Sequence, residues 1–129
     1  MSARSFRPYI EDCYLHCYML LCSTYGEQGA QKFHGFFLSK LSSAADALDL
    51  EACMFFLKSV EVALKDDGYA STLGFVEQAF TLLMSNPSLL SQPIVLKSFC
   101  QLVKEFASFF TLLPKFVGPT LKIVLSGQT

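Results

Sequence analysis

With 129 residues, ten basic and eleven acidic side chains and a formal net charge of −1, the chain lacks the concentrated basic surface that grips a phosphate backbone, so direct nucleic-acid binding is set aside. Hydrophobic residues make up 52% and charged ones 16%, against roughly 25% charge in typical domains; a chain so short of covering charge is expected to be a slice of a longer assembly or to self-associate. No run approaches the roughly 18 apolar residues of a membrane span, and MSARSFRPYIED lacks the apolar heart of a secretion signal, so the expectation is a soluble protein of the cytoplasm and nucleus with no membrane partner.

The first predicted helix runs from Pro8 to about Tyr25. Pro8 suits a first helical turn, and Glu11 and Asp12 suit its positive end. Ile10, Cys13, Tyr14, Cys17, Leu21 and Tyr25 recur at steps of three and four, which gives one apolar face, and Gly26 is placed to stop the helix. A second helix, about Ala30 to Ala45, gathers Phe33, Phe37, Leu41 and Ala44 on one side and leaves Phe36 off that stripe.

A third helix is predicted from Leu48 to Lys65, apolar over most of its circumference, with Glu51, Lys58, Glu61 and Lys65 in a narrow polar stripe. Glu61 and Lys65 form a favourable pair one turn apart. DDGYAS is a loop, broken by Asp66, Asp67 and Gly68. A fourth helix, Thr72 to Met84, buries Leu73, Val76, Phe80 and Leu83 and turns Gln78, Thr81 and Ser85 outward.

The connector SNPSLLSQP follows, with Ser91 as helix cap and Pro93 in the next first turn. The fifth helix, to about Phe106, sets Val95, Phe99, Leu102, Val103 and Phe106 against Lys97, Gln101, Lys104 and Glu105. A final helix spans Leu113 to Leu125, where Pro119 either kinks it or delays its true beginning. The five cysteines, Cys13, Cys17, Cys22, Cys53 and Cys100, are odd in number and mostly lie within apolar helical patterns. They are expected to be reduced and buried.

The helices group in pairs whose first members begin near Pro8, Leu48 and Gln92, an interval close to the roughly 40–47 residues of HEAT and armadillo repeats. The fold class expected is therefore all-α, a HEAT/armadillo-like superhelix of three helical hairpins over 8–45, 48–84 and 92–125, forming one segment from 1 to 129. Such solenoids bind macromolecules along their surfaces and need no catalytic pocket.

FRPYIEDCYLHCYMLLCSTYG, LDLEACMFFLKSVEVALKDD and LLPKFVGPTLKIVL resemble successive HEAT helices of the importin-beta superfamily of nuclear transport receptors. The likeness is to the transportin-SR type, the branch that includes importin thirteen. It covers nearly the whole chain through degenerate helical patterns such as Phe6-Arg7, Gly26 and Glu51-Ala52. The resemblance implies protein cargo as partner, loading regulated by the GTPase Ran, and adjacent HEAT repeats on either side in a longer receptor. Ran's main contacts would then lie mostly outside this segment, and no functional residue of the family maps onto it by motif. The alternative is a small stand-alone helical adaptor or scaffold domain.

Chemistry finds little footing. Cys13, His16 and Cys17 share a helical surface, but a structural zinc site needs a fourth ligand and paired CxxC spacing. The cysteines are expected to point inward with His16 at the rim. A cysteine nucleophile would need a base, and His16 and His34 come without an oxyanion-hole motif. Asp66-Asp67 beside Gly68 fits a solvated turn better than an acid–base pair, and no phosphate loop occurs. No enzyme activity, cofactor or metal is expected. The Phe-rich content, 13 residues, is expected to fill the helix–helix core. The candidate partner contacts are off-stripe Met19 and Phe36, outward Gln78, and Lys32, Lys115 and Lys122 on the second helices of the pairs.

Overall fold

The computed structural model describes residues 3–126, and these are helical with no strand among them. The all-α class is therefore as expected, while the extremities of the 1–129 segment, 1–2 and 127–129, lie outside the described residues. Helix α1 (Ala3–Ser42) starts ahead of the expected Pro8 and holds two arms that meet at Gly26, where φ is 62° and ψ −144°. Residues sixteen apart in a straight helix stand about 24 Å from one another. Yet the Tyr18 hydroxyl and His34 Nε2 share a hydrogen bond of 2.7 Å, across just that sequence separation. The chain must therefore fold back at Gly26, midway between them. Gly26 ends the first arm as expected, but the second starts directly after it, ahead of the expected Ala30.

The arms press together at buried Gly29, where a Cβ would lie 2.5 Å from the Leu21 carbonyl oxygen and 2.9 Å from Tyr25 Cβ. Tyr18 bridges the arms further in, edge-on to Phe33 at 5.0 Å.

Helix α2 (Ala47–Ser59) is capped by Asp46, whose carboxylate accepts from the Asp49 N–H at 2.9 Å. The expected third helix is not continuous to Lys65. It breaks at Val60 and resumes as the single turn α3 (Glu61–Leu64). At the break the Ser59 hydroxyl donates back to the Phe55 carbonyl at 2.8 Å, a bond that competes with the helical ladder and bends it. Glu61 and Lys65 do pair, at 2.8 Å, but Glu61 is buried instead of lying on a solvated stripe.

The DDGYAS loop is likewise less polar than expected. Asp67 accepts from the Ser71 N–H (3.1 Å) and hydroxyl (2.6 Å). Gly68 and Tyr69 both take positive φ, 68° and 67°, and this turn drives the Tyr69 ring into the core against Phe106 and Phe109. Thr72 donates to the Leu64 carbonyl at 2.6 Å, which satisfies an acceptor left over at the end of α3.

Helix α4 (Leu73–Met84) matches the expected span, with Val76, Phe80 and Leu83 fully covered and Leu73, expected to be buried, half-exposed at its start. The connector after it is not a plain loop: α5 (Pro87–Leu90) buries Leu90. The cap of α6 (Pro93–Glu105) is Gln92 and not Ser91, whose hydroxyl instead donates to the Ser88 carbonyl at 2.7 Å. Between the expected fifth and last helices lies a further helix, α7 (Ala107–Leu112), and the last expected helix divides into a 3₁₀ turn (Pro114–Phe116) and α8 (Val117–Ser126). Pro119 falls in the first turn of α8, where its missing N–H has no helical partner to lose. It therefore makes no kink.

Two series of neighbours run through the molecule. The first arm of α1 meets α2 through Tyr14 on Phe56 (ring centroids 4.7 Å) and the Glu11–Lys58 pair (3.8 Å), and α2 lies along α6. The second arm of α1 meets α4 through Phe75, stacked on His34 at 4.0 Å and edge-on to Phe37 at 5.7 Å. Helix α4 in turn meets the final segment through Glu77–Lys115 and through Thr120 against Met84 sulfur at 4.0 Å. Between the series Phe80 packs on Phe106, Phe109 and Phe110 with centroids 5.1–5.5 Å apart.

Candidate functional site

The side chains that remain available decide what the chain can touch. On the second arm of α1, Phe33, Phe36, Phe37 and Lys40 fall at helical spacings that place them on neighbouring rows. Helix α2 presents Asp49, Cys53 and Phe56 opposite them, and together with Tyr14 they form an open groove of about 400 Å³. Its floor is aromatic: Phe56 stacks with Phe33 at 5.1 Å and with Phe37 at 5.3 Å. Phe36 rises at the edge, 66% exposed. A mostly apolar concavity with a few polar groups on its rim is the usual form of a binding surface.

A second, wider trough of about 740 Å³ runs beside the Gly26 reversal, between the arms of α1 and the α3–α4 loop. Met19, Tyr18 and His34 line it, with the carboxylates of Glu27, Asp66 and Asp67 around them. Burial lowers the His34 imidazole to about 4 and, as the largest of its causes, raises the Tyr18 phenol. Both groups are thus held neutral at pH 7. The Tyr18–His34 bond of 2.7 Å joins the two arms of α1 as a clasp.

The candidate contacts found from sequence do not converge on one site. Phe36 lines the groove and Met19 the trough. Lys32, Gln78 and Lys122 are exposed, on the second arm of α1, on α4 and on α8 respectively. Lys115 is engaged already, paired with Glu77 at 2.5 Å and poised 5.4 Å from the Phe116 ring centroid.

Cys13 and Cys17 do not point inward: both are exposed, as is Cys100, while Cys22 and Cys53 are half-buried. The helical phase of α1 turns its Tyr14–Tyr18 row to the core instead, since only Tyr18 of these is buried and Tyr14 packs on α2. The first cause raising the Cys17 thiol is a hydrogen bond with Cys13, one turn away. His16 stays exposed with Nδ1 2.8 Å from the Asp12 carbonyl oxygen. Among the described residues no three His, Cys, Asp or Glu side chains gather as a metal-binding group.

The expected core packing of the phenylalanines holds for Phe37, which is buried, and for Phe33 and Phe56, which pack half-buried against it, but these three also floor a groove that the core reading did not bring out. The signal was there in the run FHGFFL, where three aromatic residues within five positions cannot all share one helical stripe.

No family model, curated protein or solved structure matches this chain.

Proposed function

We propose that the chain is a protein-binding segment of HEAT-type helical repeats from a nuclear transport receptor, carrying protein cargo between cytoplasm and nucleus under the control of Ran. The observation that carries this reading is the pair of parallel series in the fold. First-position helices (the first arm of α1, α2, α6) neighbour one another, and so do second-position helices (the second arm of α1, α4, α8). A stack of hairpins produces that pattern, and each hairpin covers a face its neighbour cannot cover alone.

The sequence resemblance to transportin-SR-type receptors supplies the transport function. An apolar row on α8, with Val117, Leu121 and Leu125 exposed by 43%, 54% and 59%, suits an adjacent repeat. Binding is the work of exposed surfaces of the stack, and flexing between hairpins would let one partner alter the fit of another. Catalysis plays no part.

Capture from cell extract by the chain and by any longer parent, with and without GTP-locked Ran, tests the reading. Partners of the parent released or loaded by Ran support it. Partners indifferent to Ran turn it into a helical adaptor unconnected with transport.

A further inference from the structure

A groove with an aromatic floor and one free charge of each sign on its rim is complementary to itself. Lys40 follows Phe36 by one turn on the second arm of α1, and Asp49 stands on α2 across the groove. Both charges act on the Cys53 thiol between them. Burial pushes that thiol up, Asp49 adds to the rise, and Lys40 opposes it. Among the described residues Lys40, like Lys32, Lys97, Lys104 and Lys122, forms no ion pair, and neither does Asp49; of these only Lys40 and Asp49 line the groove. Phe36 and Leu48 flank the same region, 66% and 78% exposed, and Leu48 lies one turn before the groove-lining Ala52.

A surface built to receive a strongly basic or acidic peptide would carry charge of the opposite sign alone. This one carries both, at opposite walls. A two-fold axis running along the groove would exchange its walls, setting Lys40 of each copy against Asp49 of the other, twice over, and laying each Phe36 ring over the partner's α2 wall. Isologous contacts have that reciprocal form. The chain's 16% charge, low for covering a free surface, fits a second copy over this patch.

We propose that the Phe36 groove is a two-fold contact through which two copies of the chain associate, with Lys40 of each copy paired to Asp49 of its partner. The contact is independent of the transport reading, since Ran and cargo have no place in it.

Sedimentation velocity on the full chain across about two decades of micromolar concentration tests it directly. Wild type is expected to pass from monomer to dimer in that range. Lys40→Glu and Asp49→Lys should each weaken the dimer by about tenfold or more, because each puts two like-charged pairs across the axis. Mixed together, the two variants should recover a heterodimer, as one then presents two anions and the other two cations. Phe36→Ser should also weaken association while leaving the helical circular dichroism unchanged, because that ring is mostly outside the core.

A wild-type chain that stays monomeric throughout overturns the proposal. So do single variants that dimerise like wild type, a mixture that fails to recover, or a monomeric chain whose groove takes another protein's helix.

Discussion

Replacing Gly26 by alanine separates a hairpin from a single long helix by the sign of its effect. At φ 62° and ψ −144° the residue sits where only glycine is at ease, and a side chain there costs on the order of 1–3 kcal/mol. No neighbour lies within 4 Å of the added Cβ, so the cost is backbone strain without a clash. For 129 residues, an unfolding entropy of roughly 2.1 cal/mol/K per residue turns about 2 kcal/mol into a fall in Tm of about 7 °C. Gly35 supplies the internal control, being exposed, helical and equally open around its Cβ. Gly35→Ala should stabilise by about 0.5–1 kcal/mol, because alanine loses less backbone entropy in a helix. The two proteins would be compared by thermal and urea melts followed by circular dichroism. If residues 3–42 formed one uninterrupted helix, Gly26→Ala would raise Tm just as Gly35→Ala does. A rise in both would refute the reversal at Gly26, and with it the contact between Tyr18 and His34.

Phe80 is fully buried against three other phenylalanines, so Phe80→Ala should cost about 3–5 kcal/mol, measured as a lower urea midpoint at unchanged m-value. Asp46→Ala should cost about 1 kcal/mol by removing the α2 cap, and Asp46→Asn should restore most of it; equal melts for the two variants would exclude the cap. The His34 imidazole, lowered to about 4 by burial, should show that low value in a proton NMR titration. Its unfolded-state pKa is near 6.5, so above that both states are neutral and stability is complete. As pH falls from about 6.5 towards 4 the unfolded chain takes up the proton first, and stability declines across that window. His34→Phe should remove that decline, though not the contribution of any carboxylate below it.

Where one stripe of side chains decides the outcome, the sequence was sufficient. Helices α4 and α6 came out within a residue or two of their expected spans, because Val76–Phe80–Leu83 and Val95–Phe99–Leu102 repeat without interruption. The errors cluster where a local bond outweighs periodicity. Ser59 bends a run that is apolar on both sides of it. Leu90 turns a polar-looking connector into a buried turn, and Tyr69 enters the core from a loop because two successive positive-φ residues re-aim the chain. Periodicity also fixes a face only up to rotation. The Cys13–Cys17 and Tyr14–Tyr18 rows are adjacent on α1, and both looked apolar. The tyrosines won the interior because the arms close on aromatic partners: Phe33 and Phe56 offer rings at 4.7–5.0 Å, and a thiol cannot fill such a space.

The same competition explains the groove. Helix α1 has more aromatic surface on its second arm than α2 and α4 can cover. Phe37 reaches both, edge-on to Phe75 and stacked on Phe56, and is buried. Phe33 is held by Tyr18 and Phe56 and is half-covered. Phe36, one position before Phe37, is rotated away from every one of these rings and stays 66% exposed. A phenylalanine left in water forgoes roughly 1.5–3 kcal/mol of burial. Neither capping nor backbone geometry requires an aromatic ring at that position, since a serine would serve an exposed helical surface. What distinguishes Phe36 is its place on the edge of an aromatic groove flanked by opposite charges, where a covering surface would recover the missing burial.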